Sequence, residues 1–192
     1  MALQAKTVPL PPPSCVFGTS STTGVDVWNS TACVNSIGGN DSDKTVGNGV
    51  TNVNTAVAGG GLFGINAWTL NSRYSITAGG SISGLLSGAG TGQTGTWSVS
   101  SWSGIGAAML VVKAGNNFVS YLLDISAGLG GGWSTQALRN GGGQIPGISH
   151  VSLYTIPGTT PPPAPVPVPA AGLLLIGALG GLAALRGKKR QA

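Results

Sequence analysis

The sequence predicts a mainly β protein: an antiparallel β-sandwich of jelly-roll-like type, followed by a Pro-rich linker and one C-terminal transmembrane helix. Three observations predict it. Only 7% of the residues are charged, glutamate is absent, and there are 34 glycines; a helical domain draws on Ala, Glu and Lys, and each glycine weakens a helix by about 1 kcal/mol. Between residues 14 and 156, short runs of β-branched and aromatic residues alternate with Gly, Asn and Ser clusters, the punctuation of an all-β domain. Residues 170–185, "AAGLLLIGALGGLAAL", carry no polar or charged side chain.

In chain order, residues 1–13 form a Pro-rich segment without an apolar leader. Its first residues, 1–5, read as the remnant of a signal peptide cut after Ala5, which predicts an in-frame upstream start encoding a basic and apolar leader. The β domain then spans 14–156. Its candidate strands are "GVDVW" (24–28), "LFGINAWTL" (62–70), "RYSIT" (73–77), "GTWSVSSW" (95–102), "AAMLVVK" (107–113), "NFVSYLLDI" (117–125) and "SHVSLYTI" (149–156). "TWSVS" sets Trp97 and Val99 on one face and Ser98 and Ser100 on the other, as a strand with one wet face requires. "AMLVV" is apolar on both faces and belongs in the middle of a sheet. The glycine runs at 58–61, 128–133 and 140–144 serve as turns needing positive φ, and none has the order of a phosphate-binding loop.

Residues 157–169 are the Pro-rich linker, 170–185 the transmembrane helix and 186–192 a basic cytoplasmic tail. At ~1.5 Å per residue the apolar run is ~24 Å long, somewhat short of a ~30 Å hydrocarbon core. The stems of the Lys and Arg residues behind it extend that reach by snorkelling. Arg186, Lys188, Lys189 and Arg190 supply four of the nine cationic side chains. Positive flanks stay on the cytoplasmic side, so the β domain is expected outside the membrane. The remaining cations nearly balance the four aspartates, and no dispersed basic face is left to follow a phosphate backbone. Nucleic acid is therefore not an expected partner.

Val166, Pro167, Val168, Pro169 and Ala170, followed by the Leu/Gly/Ala-rich helix and "RGKKR", resemble the PEP-CTERM class of bacterial sorting signals. The match is to its variant with a Val-Pro-Leu-Pro-Ala core, Val168 standing where that variant has Leu. The succession "GTWSVSSW", "AMLVVKAGNNFVSYLLD", "GGGWSTQAL", "ISHVSLY" also resembles the globular part of many proteins that carry such tails. The resemblance implies an exported, non-enzymatic protein of a Gram-negative bacterium, processed by an exosortase at the inner membrane. Its destination would be the cell surface or the extracellular matrix, with exopolysaccharide as a further partner.

Chemistry-bearing residues are few. Cys15 and Cys33 are the only cysteines. In an oxidising compartment their disulfide removes about 3 kcal/mol of unfolded-state entropy; in a reducing one they remain thiols. His150 is the only histidine. A triad of His150, Asp124 and a serine can be drawn on paper, but no nucleophile-elbow motif supports it, and His150 is expected as a half-exposed strand residue. Asn40, Asp41, Ser42 and Asp43 cluster oxygen ligands of the kind Ca²⁺ accepts, with a solvated turn as the alternative. Apart from that calcium reading no cofactor is expected, and the cysteines and histidine lack zinc spacing. Of the five tryptophans, Trp28, Trp68, Trp97, Trp102 and Trp133, at least three belong in the core. Trp97, Trp102 and Trp133 are the candidates for ligand-facing rings, which gives the second reading of the chain, a carbohydrate-binding module on the cell surface.

Overall fold

A computed structural model describes residues 14–19, 25–44, 47–77 and 80–158. The sorting motif (Val166, Pro167, Val168, Pro169 and Ala170), the apolar run 170–185 and the basic residues Arg186, Lys188, Lys189 and Arg190 lie outside the described residues. So do residues 1–13. The described chain is mainly β with antiparallel sheets, and it holds no α-helix.

Twelve strands and one 3-10 turn (Leu62–Gly64) run in the order β1 (Phe17–Gly18), β2 (Val27–Trp28), β3 (Ser30–Gly38), β4 (Asn40–Ser42), β5 (Val50–Asn52), β6 (Thr69–Ser75), β7 (Leu86–Ala89), β8 (Thr94–Val99), β9 (Ile105–Ala114), β10 (Asn117–Leu123), β11 (Gly130–Ser134) and β12 (Ile148–Pro157). They form two five-stranded sheets, β1-β2-β11-β8-β7 and β3-β10-β9-β12-β6, and a small pair, β4-β5. Pairing within the large sheets is antiparallel except for the two-residue β1–β2 contact, and β4–β5 is parallel. The apolar strand "AMLVV" is central, as its lack of a polar face requires, because β9 lies third of five in its sheet.

The period-2 alternation of side chains assigns each face of that second sheet to a different core. Leu110 and Val112 of β9, Val119 and Tyr121 of β10, and Val151 and Leu153 of β12 pack with Val27, Trp97, Val99 and Trp133 of the first sheet in one cluster. Met109, Val111, Phe118 and Tyr154 point the other way and are covered by Val53, Leu62 and Trp68. The excursion from β4 to β6 thus lies over the outer face of the second sheet. Hydrogen bonds hold it there: Trp68 donates Nε1–H to the Leu62 carbonyl at 2.9 Å, and Asn54 Nδ2 donates to the Trp68 carbonyl at 2.9 Å.

Two expectations are corrected here. The glycine run at 128–133 is not a turn, because Gly130, Gly131 and Gly132 open strand β11. The ring of Trp28 occupies the space of the missing side chain at Gly132, where an added Cβ would stand 3.0 Å from Trp28 Cε2. The stretch 62–70 is a strand only from Thr69. Its first part is the 3-10 turn, in which Phe63 and Gly64 both take positive φ.

Candidate functional site

The alternation that buries Val151 and Leu153 turns His150, Ser152 and Tyr154 of β12 to the outer face, toward β4. Register adds two neighbours in the same rows: Arg73 of β6 opposite Ser152, and Lys113 of β9 opposite His150. A polar row at one end of an otherwise apolar face needs a partner, since buried polar groups without one cost about 1–3 kcal/mol each. Asp41 supplies it. Its side chain is completely buried; Oδ1 lies 2.6 Å from His150 Nε2, while Oδ2 accepts from Arg73 Nη2 at 2.9 Å and from the Tyr154 hydroxyl at 2.7 Å. Arg73 Nε donates in turn to Ser152 Oγ at 2.9 Å.

The electrostatics follow from that geometry. Burial alone raises the Asp41 pKa, but the hydrogen bond and charge of His150, the charge of Arg73 and the Tyr154 hydroxyl outweigh it and hold the carboxyl well below its usual range. Burial, reinforced by the Asp41 charge and the hydrogen bond to it, raises the Tyr154 phenol far above its ordinary value. Burial also lowers Lys113, with Asp41 opposing. Asp41 is therefore an anion, and the shared proton resides on His150 Nε2. Nε2 is thus the ring nitrogen tied to Asp41, and Nδ1 lies outside that contact.

The cluster opens on a cleft of about 450 Å³ whose walls include Asn40, Val50, Arg73, Ser75, Gly80 and His150. Arg73 and His150 keep 18% and 11% of their side chains exposed there, above an aspartate with none. Among the described residues, neither Arg73 Nη1 nor His150 Nδ1 makes a hydrogen bond.

The placement of the sequence candidates is mixed. Cys15 and Cys33 form the disulfide, with Cα atoms 6.3 Å apart. Trp97 and Trp133 are not ligand-facing: at 3% and 2% exposure they are central members of the inter-sheet core. Trp102 is half-buried beyond the end of β8, packs on that core and donates Nε1–H to the Gly128 carbonyl at 2.7 Å. The calcium reading of Asn40, Asp41, Ser42 and Asp43 fails on geometry. Asp41 is turned inward onto Arg73, His150 and Tyr154, and Asp43 Oδ2 accepts from the Leu70 amide at 2.9 Å. No group of three or more His, Cys, Asp or Glu side chains suited to a metal exists among the described residues. His150 is buried and paired rather than half-exposed. Its carboxylate partner is Asp41 and not Asp124, a half-buried residue whose Oδ1 accepts from Ser126. Comparison of the chain with protein-family models, with curated proteins and with solved structures finds no match.

Proposed function

We propose that this chain is an exported, non-enzymatic cell-surface or extracellular-matrix protein, held at the inner membrane by residues 170–185. In this reading an exosortase processes it at Val166, Pro167, Val168, Pro169 and Ala170. The observation that carries the reading is the Cys15–Cys33 disulfide. Such bonds persist outside the reducing cytosol, the side of the membrane on which the basic cluster after residue 185 would leave the β domain. The two facing sheets, with the chain crossing between them from β2 to β3, β6 to β7, β8 to β9, β10 to β11 and β11 to β12, fit a jelly-roll-like sandwich able to stand alone on a Pro-rich stalk. A polyproline II linker over 159–169 would extend ~34 Å at ~3.1 Å per residue.

Deletion of residues 165–192 in the native host, followed by cell fractionation, tests the reading. The truncated chain is expected to leave the membrane and surface fractions. An unchanged distribution overturns the sorting role. The second reading, a carbohydrate-binding module, no longer has Trp97 and Trp133 to stand on, and the polar cleft is the place left for it.

A further inference from the structure

We infer that the cleft bounded by Asn40, Arg73, Ser75 and His150 is a binding site for an uncharged polyhydroxylated ligand, a sugar ring or its oligomer. This inference is independent of export and sorting, so either can fail without the other.

The argument starts from charge. A cleft containing an arginine invites an anion, but here the Arg73 charge is matched by Asp41 at 2.9 Å, and the Asp41 carboxylate is completely buried beneath it. Two of the three guanidinium nitrogens are already engaged, Nε on Ser152 Oγ and Nη2 on the carbonyl and carboxylate of Asp41. The remaining Nη1 cannot offer the two-pronged contact by which arginine grips a carboxylate or phosphate. It can offer a single donor.

His150 lines the same cleft. Its Nε2 is held by Asp41 Oδ1 at 2.6 Å, and in the Nε2–H tautomer that this contact favours, Nδ1 is an acceptor. An alcohol is the ligand group that both donates and accepts, so adjacent hydroxyls can satisfy Nη1 and Nδ1 together. The Asn40 amide, an exposed side chain on β4, adds both a donor and an acceptor, whereas the Ser75 hydroxyl, opposite His150 in register, already donates to the Ser149 carbonyl and accepts from the Thr77 amide. The free volume of about 450 Å³ is enough for one to two sugar rings. The groups facing His150 from the packed strands are Asp41, Arg73, Tyr154 and Lys113, and Lys113 is occupied by the Gly115 carbonyl.

The test uses the full-length chain, purified without reductant and titrated calorimetrically at pH 8 with cellobiose, lactose, mannobiose, glucuronate and acetate. Saturable binding of at least one neutral disaccharide is expected. Asn40→Ala, which removes no hydrogen bond within the described fold, is expected to lower that affinity about 5-fold, in line with one lost hydrogen bond. His150→Gln keeps a donor for Asp41, and its thermal unfolding is to be checked in parallel. No saturable binding of any neutral sugar overturns the inference. So does binding confined to glucuronate and acetate, and so does neutral-sugar binding that Asn40→Ala leaves unchanged.

Discussion

Two aspartates of one small domain are buried with opposite electrostatic consequences, and the difference lies in their partners. Asp41 meets a guanidinium, an imidazole N–H and a phenol, so its ionised form is favoured in the fold. Asp26 accepts the Val16 amide at 2.7 Å and Ser134 Oγ at 3.4 Å; burial dominates there and raises its pKa. Linkage converts each shift into a slope. Below ~pH 4 the unfolded chain takes up a proton at residue 41 before the folded chain does, so this contribution is present above that pH and lost as pH falls. At residue 26 the folded chain keeps its proton longer, and stability is lost as pH rises above ~pH 4. Thermal unfolding of the wild type, Asp41→Asn and Asp26→Asn between pH 2.5 and 8 checks both signs. Asp41→Asn is expected to cost about 3 kcal/mol at pH 7, since it strands Arg73 without its counter-ion, and to flatten the acid limb. Asp26→Asn is expected to gain on the wild type as pH rises. Parallel acid limbs for wild type and Asp41→Asn would refute the assignment.

At the scale of elements, the first sheet is assembled by seating aromatic rings on glycines. An added Cβ at Gly95 of β8 would lie 2.1 Å from the Ala89 carbonyl and 2.3 Å from Trp133 Cζ2, so backbone and ring would both have to move. Gly95→Ala is therefore expected to destabilise by about 3 kcal/mol, read as a lower melting temperature and an altered tryptophan near-UV signal. Gly92→Ala, whose Cβ would meet nothing within 4 Å, is the control and should stay within about 0.5 kcal/mol of wild type. This packing also explains what the sequence could and could not tell. Strands β6, β8, β9, β10 and β12 were legible because β-branched and aromatic residues recur there at short spacing, although the runs 73–77, 95–102 and 117–125 overshoot strands that end at Ser75, Val99 and Leu123. Strand β11 was not, because Gly130, Gly131 and Gly132 have no side chains to alternate, and the rings that take the space at Gly131 and Gly132 come from Trp97 and Trp28, far away in the chain. Strand β3, "STACVNSIG", is an edge strand in which Ser30 alone is buried and the rest are half-buried or exposed, so it shows no clean two-sided pattern. The site was half legible. The spacing of His150, Ser152 and Tyr154 places them on one strand face, but Asp41 lies 109 positions from His150 and reaches it only through the excursion that follows β3.

For the β domain as a whole, the question is what closes the space between two sheets that share one core and each have open edges. At one side, the amides of Leu85, just before β7, and of Leu86, its first residue, donate to Asn71 Oδ1 and Ser72 Oγ on β6 of the second sheet, both at 2.9 Å. At the other side, the edge strands are β1 and β3, and the link between them is covalent: Cys15 precedes β1 and Cys33 lies within β3. β1 is only two residues long, and Val16 and Phe17 are 45% and 48% exposed, so little apolar burial would hold it in place. The disulfide, with the Asp26 contact to the Val16 amide, therefore secures that edge. Replacing both cysteines by serine is expected to cost about 3 kcal/mol, or roughly 10 °C in melting temperature for a domain of this size. Amide exchange gives the spatial part of the prediction: protection should fall first at residues 15–18 and 27–28, while β9, β10 and β12 keep theirs. A double variant with unchanged melting temperature and protection at 27–28 would mean that the edge closes by packing alone.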